Sequence, residues 1–488
     1  MPEPTLGSWL DTSTARDRAR PDQEAGMTRH LARSTDSRAA APVRIVHLGV
    51  GNFFRAHQAW YTEQAHDAGE WGIAAFTGRS AAIADELAPQ EGLYTLVTQH
   101  PEGNQYSVIG SLSAVHPAAD LQALRGYFAS SDLAIVTSTV TEAGYRRSAN
   151  GSLDTADPEV SADIRALRQD PLNGTVTTAP GKFVAGLLAR RASEPEATLT
   201  FVPCDNISGN GEMVRRVVTE LAAAVDPSLV DHIAERVSFV TTMVDRITPR
   251  PTVDDLAAVV ADTGVDDPAA VVTEPFSEWV LEGTFPAGRP AWEDAGARFV
   301  DDIEPFETRK LYLLNGSHTL MAYAGSILGF QTVNEAIHDD RILDWVNQWW
   351  DVAARHLTLA TREVDDYRAA LLERYRNPKI RHLLAQIAGD GSQKVPIRLV
   401  PTIQGDRTKG VLPTGALRAV AAWTLHLRGL GAPVNDARAA EVAPLADGSL
   451  EQSVQHVLEW LGLGGDAEVN AETLRLAREL ESLAGTSH

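Results

Sequence analysis

Val43-Arg44-Ile45-Val46-His47-Leu48-Gly49-Val50-Gly51-Asn52-Phe53-Phe54 is the stretch whose reading decides the fold. An apolar run of strand type enters a glycine turn, and the residues that follow, Arg55 to Gly69, carry a helical pattern closed by glycine. Two glycines permit a tight turn and let backbone N–H groups approach a pyrophosphate at the start of the helix. The third glycine of the G-x-G-x-x-G pattern is replaced by Phe54, so the motif is incomplete. Its position on the first strand of an alternating pattern is what makes Gly49, Gly51, Asn52, Phe53 and Arg55 candidates for holding a dinucleotide.

Working outward, strand-like runs recur at 71–79, 132–142, 197–206 and 237–248, separated by helical stretches such as 179–193 and 211–225. Strands alternating with helices predict a parallel, doubly wound α/β sheet, a Rossmann-like domain. Beyond about residue 295 helical periodicity dominates, and only Arg398-Leu399-Val400-Pro401-Thr402-Ile403 reads as extended. The expected organisation is a disordered extension over 1–42, a Rossmann-like dinucleotide-binding domain over 43–295, and a mainly α-helical substrate and catalytic domain over 296–488. No internal repeat is present.

The 488 residues carry a formal charge of -22, which disfavours nucleic acid and anionic membranes as partners. No apolar run is long enough for a bilayer. Residues 1–42 lack the apolar core of a secretory signal, which points to a cytoplasmic protein. A single cysteine, Cys204, excludes a disulfide framework within the chain and any multi-cysteine zinc site. Five lysines stand against 38 arginines. Biased base composition explains the skew, yet a lysine that persists in such a chain marks places where a titratable amine is needed.

One such place is Glu307-Thr308-Arg309-Lys310-Leu311-Tyr312-Leu313-Leu314-Asn315-Gly316-Ser317-His318. On an α-helix, Lys310, Glu307, His318 and Asn315 fall at roughly 0°, 60°, 80° and 140°, a polar side on an apolar helix. That pattern fits a solvated face as well as a site. A second cluster, Cys204-Asp205-Asn206-Ile207-Ser208-Gly209-Asn210-Gly211, ends a strand, where ligands of open α/β sheets bind. Asn206 is positioned there to donate to a substrate oxygen, while Asn210-Gly211 fits an Asx turn and helix cap. Asp245 and Arg246 end another strand as a close Asp/Arg pair. At the end of the second strand Arg79 stands where many dinucleotide sites have a carboxylate for the ribose. Arginine there suits a 2′-phosphate, which leaves NAD and NADP both open.

Together these segments resemble the mannitol dehydrogenase family, the long-chain polyol-specific dehydrogenases. The resemblance rests on His47–Gln58, Thr139–Tyr145 (TVTEAGY), Cys204–Gly211, Met243–Pro249, the Lys310/Asn315/His318 spacing and Asp390–Lys394 (DGSQK). It implies NAD-dependent, metal-free interconversion of an open-chain polyol, such as mannitol or arabinitol, and its 2-keto sugar by a monomer or small homo-oligomer. It implies Lys310 as general acid/base, Asn206 and Asn315 holding the reacting oxygen, His318 orienting the substrate, and Glu307 gating proton release. Asp245 and Lys394 are implied as substrate-hydroxyl contacts, with Thr139 and Glu142 beside the cofactor. Polyol-oxidising members place an arginine eight residues before the lysine of the DGSxK motif, where this chain has Gln386. The alternative within the family is a hexuronate (fructuronate or tagaturonate) reductase, for which Arg398 is the candidate carboxylate partner. The alternative outside enzymes is a nucleotide-binding sensor, which has no use for a titrating amine.

Overall fold

The computed structural model describes residues 28–78 and 80–485. Among the described residues twelve strands are formed: β1 Val43–Leu48, β2 Gly72–Phe76, β3 Tyr94–Gln99, β4 Asn104–Ile109, β5 Leu112–His116, β6 Ile135–Ser138, β7 Leu199–Pro203, β8 Val237–Phe239, β9 Thr241–Asp245, β10 Val271–Thr273, β11 Glu278–Glu282 and β12 Arg298–Val300. Six of them make one sheet in the order β5-β2-β1-β6-β7-β8. Every pairing in it is parallel. β1 lies at its centre, and the chain winds outward first to one side and then to the other. The expected doubly wound sheet is present, with its topological switch between β1 and β6.

Continuous apolar composition explains the central strands. β2 and β6 are buried along their whole length, and β1 is buried from Ile45 to Leu48, as a sheet covered on both faces requires. Two smaller sheets, β10-β3-β4 and β12-β11-β9, flank it. Since β12 ends at Val300, the α/β part runs past residue 295.

The 237–248 run is divided between two sheets, β8 in the large sheet and β9 in the small one. The Asn210 side chain makes the transfer. Its amide donates to the carbonyls of Asp205 (3.0 Å) and Thr242 (2.8 Å), and its oxygen accepts from Thr242 N (2.9 Å). Asn210 is therefore a buried brace rather than a helix cap, and Gly209, at φ +62, occupies the cap position.

Two further expectations are corrected. Residues 28–42 are structured: Leu31 is buried with Leu93 and Val265, and Arg33 donates to the carbonyls of Gly110 (3.0 Å) and Leu112 (2.6 Å). Residues 1–27 lie outside the described residues. The run 398–403 is helical, at the junction of helices Gly391–Arg398 and Val400–Arg407. Pro401 sits in the first turn of the second helix, where its missing N–H costs no intrahelical bond. A short Leu/Val/Ile run does not by its period distinguish strand from buried helix.

From Glu304 the chain is helical around a second core that contains Trp349, Trp350 and Trp423. Its pivotal element is not an ordinary α-helix. After Glu304–Arg309 the backbone widens to π-helix over Lys310–Gly316, returns to α over Ser317–Leu320, and widens again over Met321–Gly325. Two indoles on the helix Asp340–Ala354 engage the carbonyls of this widened turn: Trp349 Nε1 donates to Tyr312 O (2.8 Å) and Trp350 Nε1 to Leu313 O (2.9 Å). Gly316 is required beside them, since a Cβ there would lie 2.4 Å from the Trp349 ring.

Candidate active site

The glycine turn after β1 lies at the carboxyl ends of the strands, beside the switch point where open α/β sheets bind ligands. Gly49 has φ +109, and a Cβ there would sit 2.4 Å from the Thr139 carbonyl, so no other residue fits. At Gly51 a Cβ would meet only Gly49 O at 3.7 Å, leaving open space on the side a pyrophosphate would occupy. The place of the missing third glycine is filled by Phe54, buried and stacked on His47 with ring centroids 3.5 Å apart. Burial pushes His47 down to about 3, so it is a neutral ring. It contacts Thr139 Oγ1 (3.2 Å), which in turn donates to Gly49 O (2.8 Å) and locks the turn to β6. The turn and the open face at Gly51 fit a dinucleotide.

Phe53, Thr139 and Glu142 line a cavity of about 480 Å³ that continues to the other predicted residues: Asn206, Asp245, Lys310, Asn315 and His318. Lys310 Nζ donates to Asn206 Oδ1 (2.9 Å) and to Val244 O (2.8 Å). Neither partner is a carboxylate. Burial pushes the amine below the usual lysine range; Asp245, the next influence, opposes this, and Arg374 reinforces it. The widened turn is what places these groups. With i→i+5 bonding, Asn315 is brought closer to the Lys310 side of the helix than the roughly 140° separation of an α-helix would allow. The amide of Asn315 has no protein hydrogen-bond partner among the described residues and faces the cavity.

His318 is buried, in contact with the rings of Tyr375 (5.2 Å) and His382 (5.0 Å), and its Nε2 has no hydrogen-bond partner among the described residues. Burial, with His382, Arg374 and Arg398 nearby, holds it far below the usual imidazole range, so it is neutral. An unpaired buried polar atom costs about 1–3 kcal/mol, which is tolerated where a ligand supplies the missing partner. Glu307 accepts from Ser208 Oγ (2.5 Å) and Gly209 N (3.0 Å), tying the Lys310 helix to the loop after β7. It lines a neighbouring cavity, also about 480 Å³, that meets the first at Lys310, Asn206 and Asn315.

Asp245 is not paired with Arg246. It receives both arms of Arg374, at 2.7 and 2.9 Å, and the hydroxyl of Tyr367 at 3.2 Å. Arg246 points away, over the Trp60 ring and onto the carbonyl of Ala56. Arg55 is likewise turned inward, onto Gly51 O, Asn52 Oδ1 and Ala269 O, so it shapes the glycine turn and does not face the cofactor crevice. Asn52 spends its amide oxygen on Arg55 and donates to Pro249 O (3.4 Å). Glu142 is neutralised at the cavity rim by Arg147 (2.5 Å).

Lys394 is not brought to the site. Its ammonium donates to the carbonyls of Ile387 (3.1 Å) and Gly389 (2.5 Å), and it lines neither cavity. Arg398 lines the second cavity, donating to Asn315 O (3.2 Å) and Thr319 Oγ1 (3.0 Å). Its Nε has no partner among the described residues, and burial pushes the guanidinium down to about 10. Arg79 lies outside the described residues. The lining residues that sequence reasoning missed are Arg374, His382 and Asp205. Asp205 accepts from Val140 N, Ser138 and Tyr145, and burial raises it to about 7. Nothing in the local sequence around Arg374 or His382 distinguishes them from ordinary helix and loop residues.

A family model described as the mannitol dehydrogenase Rossmann domain matches residues 43–294, and one described as the mannitol dehydrogenase C-terminal domain matches 302–482. The chain belongs to the mannitol dehydrogenase family. As a member of that family it is an oxidoreductase with a dinucleotide-binding Rossmann domain. D-arabinitol 4-dehydrogenase of Ralstonia nicotianae is 38% identical, covering 77% of this chain and 81% of its own. D-mannonate oxidoreductase of Escherichia coli is 36% identical over 79% of this chain and 80% of its own. Among solved structures, the ternary complex of Pseudomonas fluorescens mannitol 2-dehydrogenase with NAD and D-mannitol has a TM-score of 0.75. It is 33% identical, covering 92% of this chain and 94% of that one.

Proposed function

We propose that this member of the mannitol dehydrogenase family interconverts a secondary alcohol of an open-chain polyol and the corresponding 2-keto sugar, using NAD or NADP. The observation that carries the reading is the setting of Lys310: a half-buried amine, held by an amide oxygen and a backbone carbonyl rather than a carboxylate, at the junction of two cavities. The nicotinamide supplies or takes up the hydride. Lys310, kept below its ordinary range, takes the hydroxyl proton in oxidation and returns it in reduction. Asn315 and Asn206 present amides to the reacting oxygen and stabilise its developing negative charge. His318, neutral, offers a hydrogen bond to a substrate hydroxyl. Glu307, beside Lys310 in the second cavity, is placed to relay the proton outward.

The chemistry needs no metal in this reading, because the ammonium supplies the charge that a bound cation would otherwise provide. The D-arabinitol and mannitol relatives support a polyol substrate. One observation favours an acidic sugar as the second reading: Arg398 lines the second cavity without a carboxylate partner among the described residues, and one relative is a D-mannonate oxidoreductase. A rate panel of mannitol, arabinitol, sorbitol, fructose, mannonate and fructuronate, each with NAD and NADP and with and without EDTA, decides among these. Turnover of neutral polyols, unaffected by chelator, is expected. Turnover of only the acids would replace the polyol reading, and inhibition by EDTA would remove the metal-free mechanism.

A further inference from the structure

Arg374 is a fully engaged cation at the back of the cavity. From the helix Thr361–Tyr375 it reaches the α/β part and holds two carboxylates at once, Asp245 at 2.7 and 2.9 Å and Glu274 at 2.8 and 2.9 Å. All three side chains are buried, and the guanidinium also lies over the Phe276 ring at 4.2 Å. Such a cluster would serve as an interdomain fastening, but its position gives it a second consequence. Asp245 follows Val244, whose carbonyl accepts the Lys310 ammonium, and both Asp245 and Lys310 line the same cavity.

A free carboxylate in that position would be the natural counter-ion of the amine. A nearby opposite charge favours the charged form of an amine, and Asp245 acts on Lys310 in that sense; freed of its partner it would offset the effect of burial and favour the ammonium. Of the other carboxylates around Lys310, Glu278 is paired with Arg309 (2.5 and 2.6 Å), while Glu307 is oriented, though not neutralised, by Ser208 and Gly209. His318 and His382 are held neutral by burial, and Arg398 lies in the second cavity. Asp245 is the group whose commitment depends on Arg374.

We propose that Arg374 is a positioning residue for the proton transfer: by holding both oxygens of Asp245 it keeps that carboxylate from closing on Lys310. A planar fork is required for this, since one ammonium cannot satisfy two carboxylates bidentately. The inference rests on the reading of Lys310 as the acid/base.

The scarcity of lysine provides a direct measurement. Full-length protein labelled with [ε-13C]lysine contains only five lysines, and the signal missing in Lys310→Ala identifies Lys310. Its titration is followed in the wild type, in Arg374→Gln, in the charge-matched double variant Arg374→Gln/Glu274→Gln, and in Arg374→Gln/Asp245→Asn. The double variant with Glu274 removes one cation and one anion together, and so gives the answer even where Arg374→Gln alone does not fold. The Lys310 midpoint is expected to rise by about one unit or more when Arg374 is lost and to fall back when Asp245 is also removed. The acid limb of alcohol oxidation should move by the same amount. A midpoint unmoved in the charge-matched variant, or a rise that persists without Asp245, overturns the proposal and leaves Arg374 as a fastening alone. Failure of the underlying reading is separate: an active Lys310→Ala enzyme would remove the base, whatever the titration shows.

Discussion

Lys310 and Asn206 meet across the domain junction, the amine of one helix donating at 2.9 Å to an amide oxygen in the loop after β7. This contact orients the amine without neutralising it, and it leaves the Asn206 NH2 free to face a substrate oxygen. The predictions begin from that pairing.

Replacing Lys310 by alanine should reduce turnover by about 10²–10⁴-fold, the usual worth of a positioned acid/base. Dinucleotide binding, centred on the Gly49–Phe53 turn, should be nearly unchanged. Lys310→Arg should be as inactive, because a guanidinium does not release its proton in this range. Steady-state rates with cofactor binding by fluorescence titration test both; an active arginine variant would show that charge, and not proton exchange, is what the site needs.

The direction of the Lys310 shift fixes a pH signature. Alcohol oxidation needs the free amine, so its rate should rise with pH through a midpoint below the ordinary lysine value of about 10.4. Ketone reduction needs the ammonium and should fall through the same region. Parallel profiles in the two directions, with no opposed limbs, would point to a different titrating group.

The two glycines of the turn should fail differently. Gly49→Ala places a methyl 2.4 Å from the Thr139 carbonyl at a positive φ and should destabilise the fold itself. Gly51→Ala meets nothing closer than 3.7 Å, so the thermal midpoint should hold while cofactor affinity weakens. Calorimetry paired with cofactor titration separates the two, and unchanged affinity in Gly51→Ala would remove that residue from the pyrophosphate site.

Acid should unfold the protein early. His47 and His57 are pushed down to about 3, and His426 to about 4, by burial. Between roughly pH 6.5 and 4 the unfolded chain binds these protons and the folded chain does not. Stability then falls with pH by about 1.4 kcal/mol per unit for each group. His318 and His382 act in the same sense, while Asp205, raised to about 7, and the raised Glu274 and Glu278 act in the other. The imidazoles outnumber the carboxyls, so the thermal midpoint should drop from pH 7.5 to 5. A midpoint that rises on acidification would mean that these rings are not neutral in the fold.

The sequence by itself determined the layout: an apolar run into Gly49-Val50-Gly51 at residue 43, strands alternating with helices, and a helical remainder. Each is a local regularity, set by how far apart apolar residues recur and where glycine permits a turn, and each survives folding unchanged. The chemical types of Lys310, Asn206, Asn315 and His318 were also legible, as was the membership of their segments in one family. Tertiary structure decided the rest. Tyr312 and Leu313 face indoles from a helix some forty residues later, and those hydrogen bonds accompany the π turn that brings Asn315 toward the side of Lys310. Asp245 took Arg374, 129 positions away, in preference to adjacent Arg246, which lies just past the end of β9 and turns onto the carbonyl of Ala56. Lys394 turned to backbone carbonyls, and Arg55 turned into the protein. Which charge finds which partner depends on distances the chain acquires only when its two parts pack, and that pairing leaves the amine of Lys310 without a carboxylate bound to it.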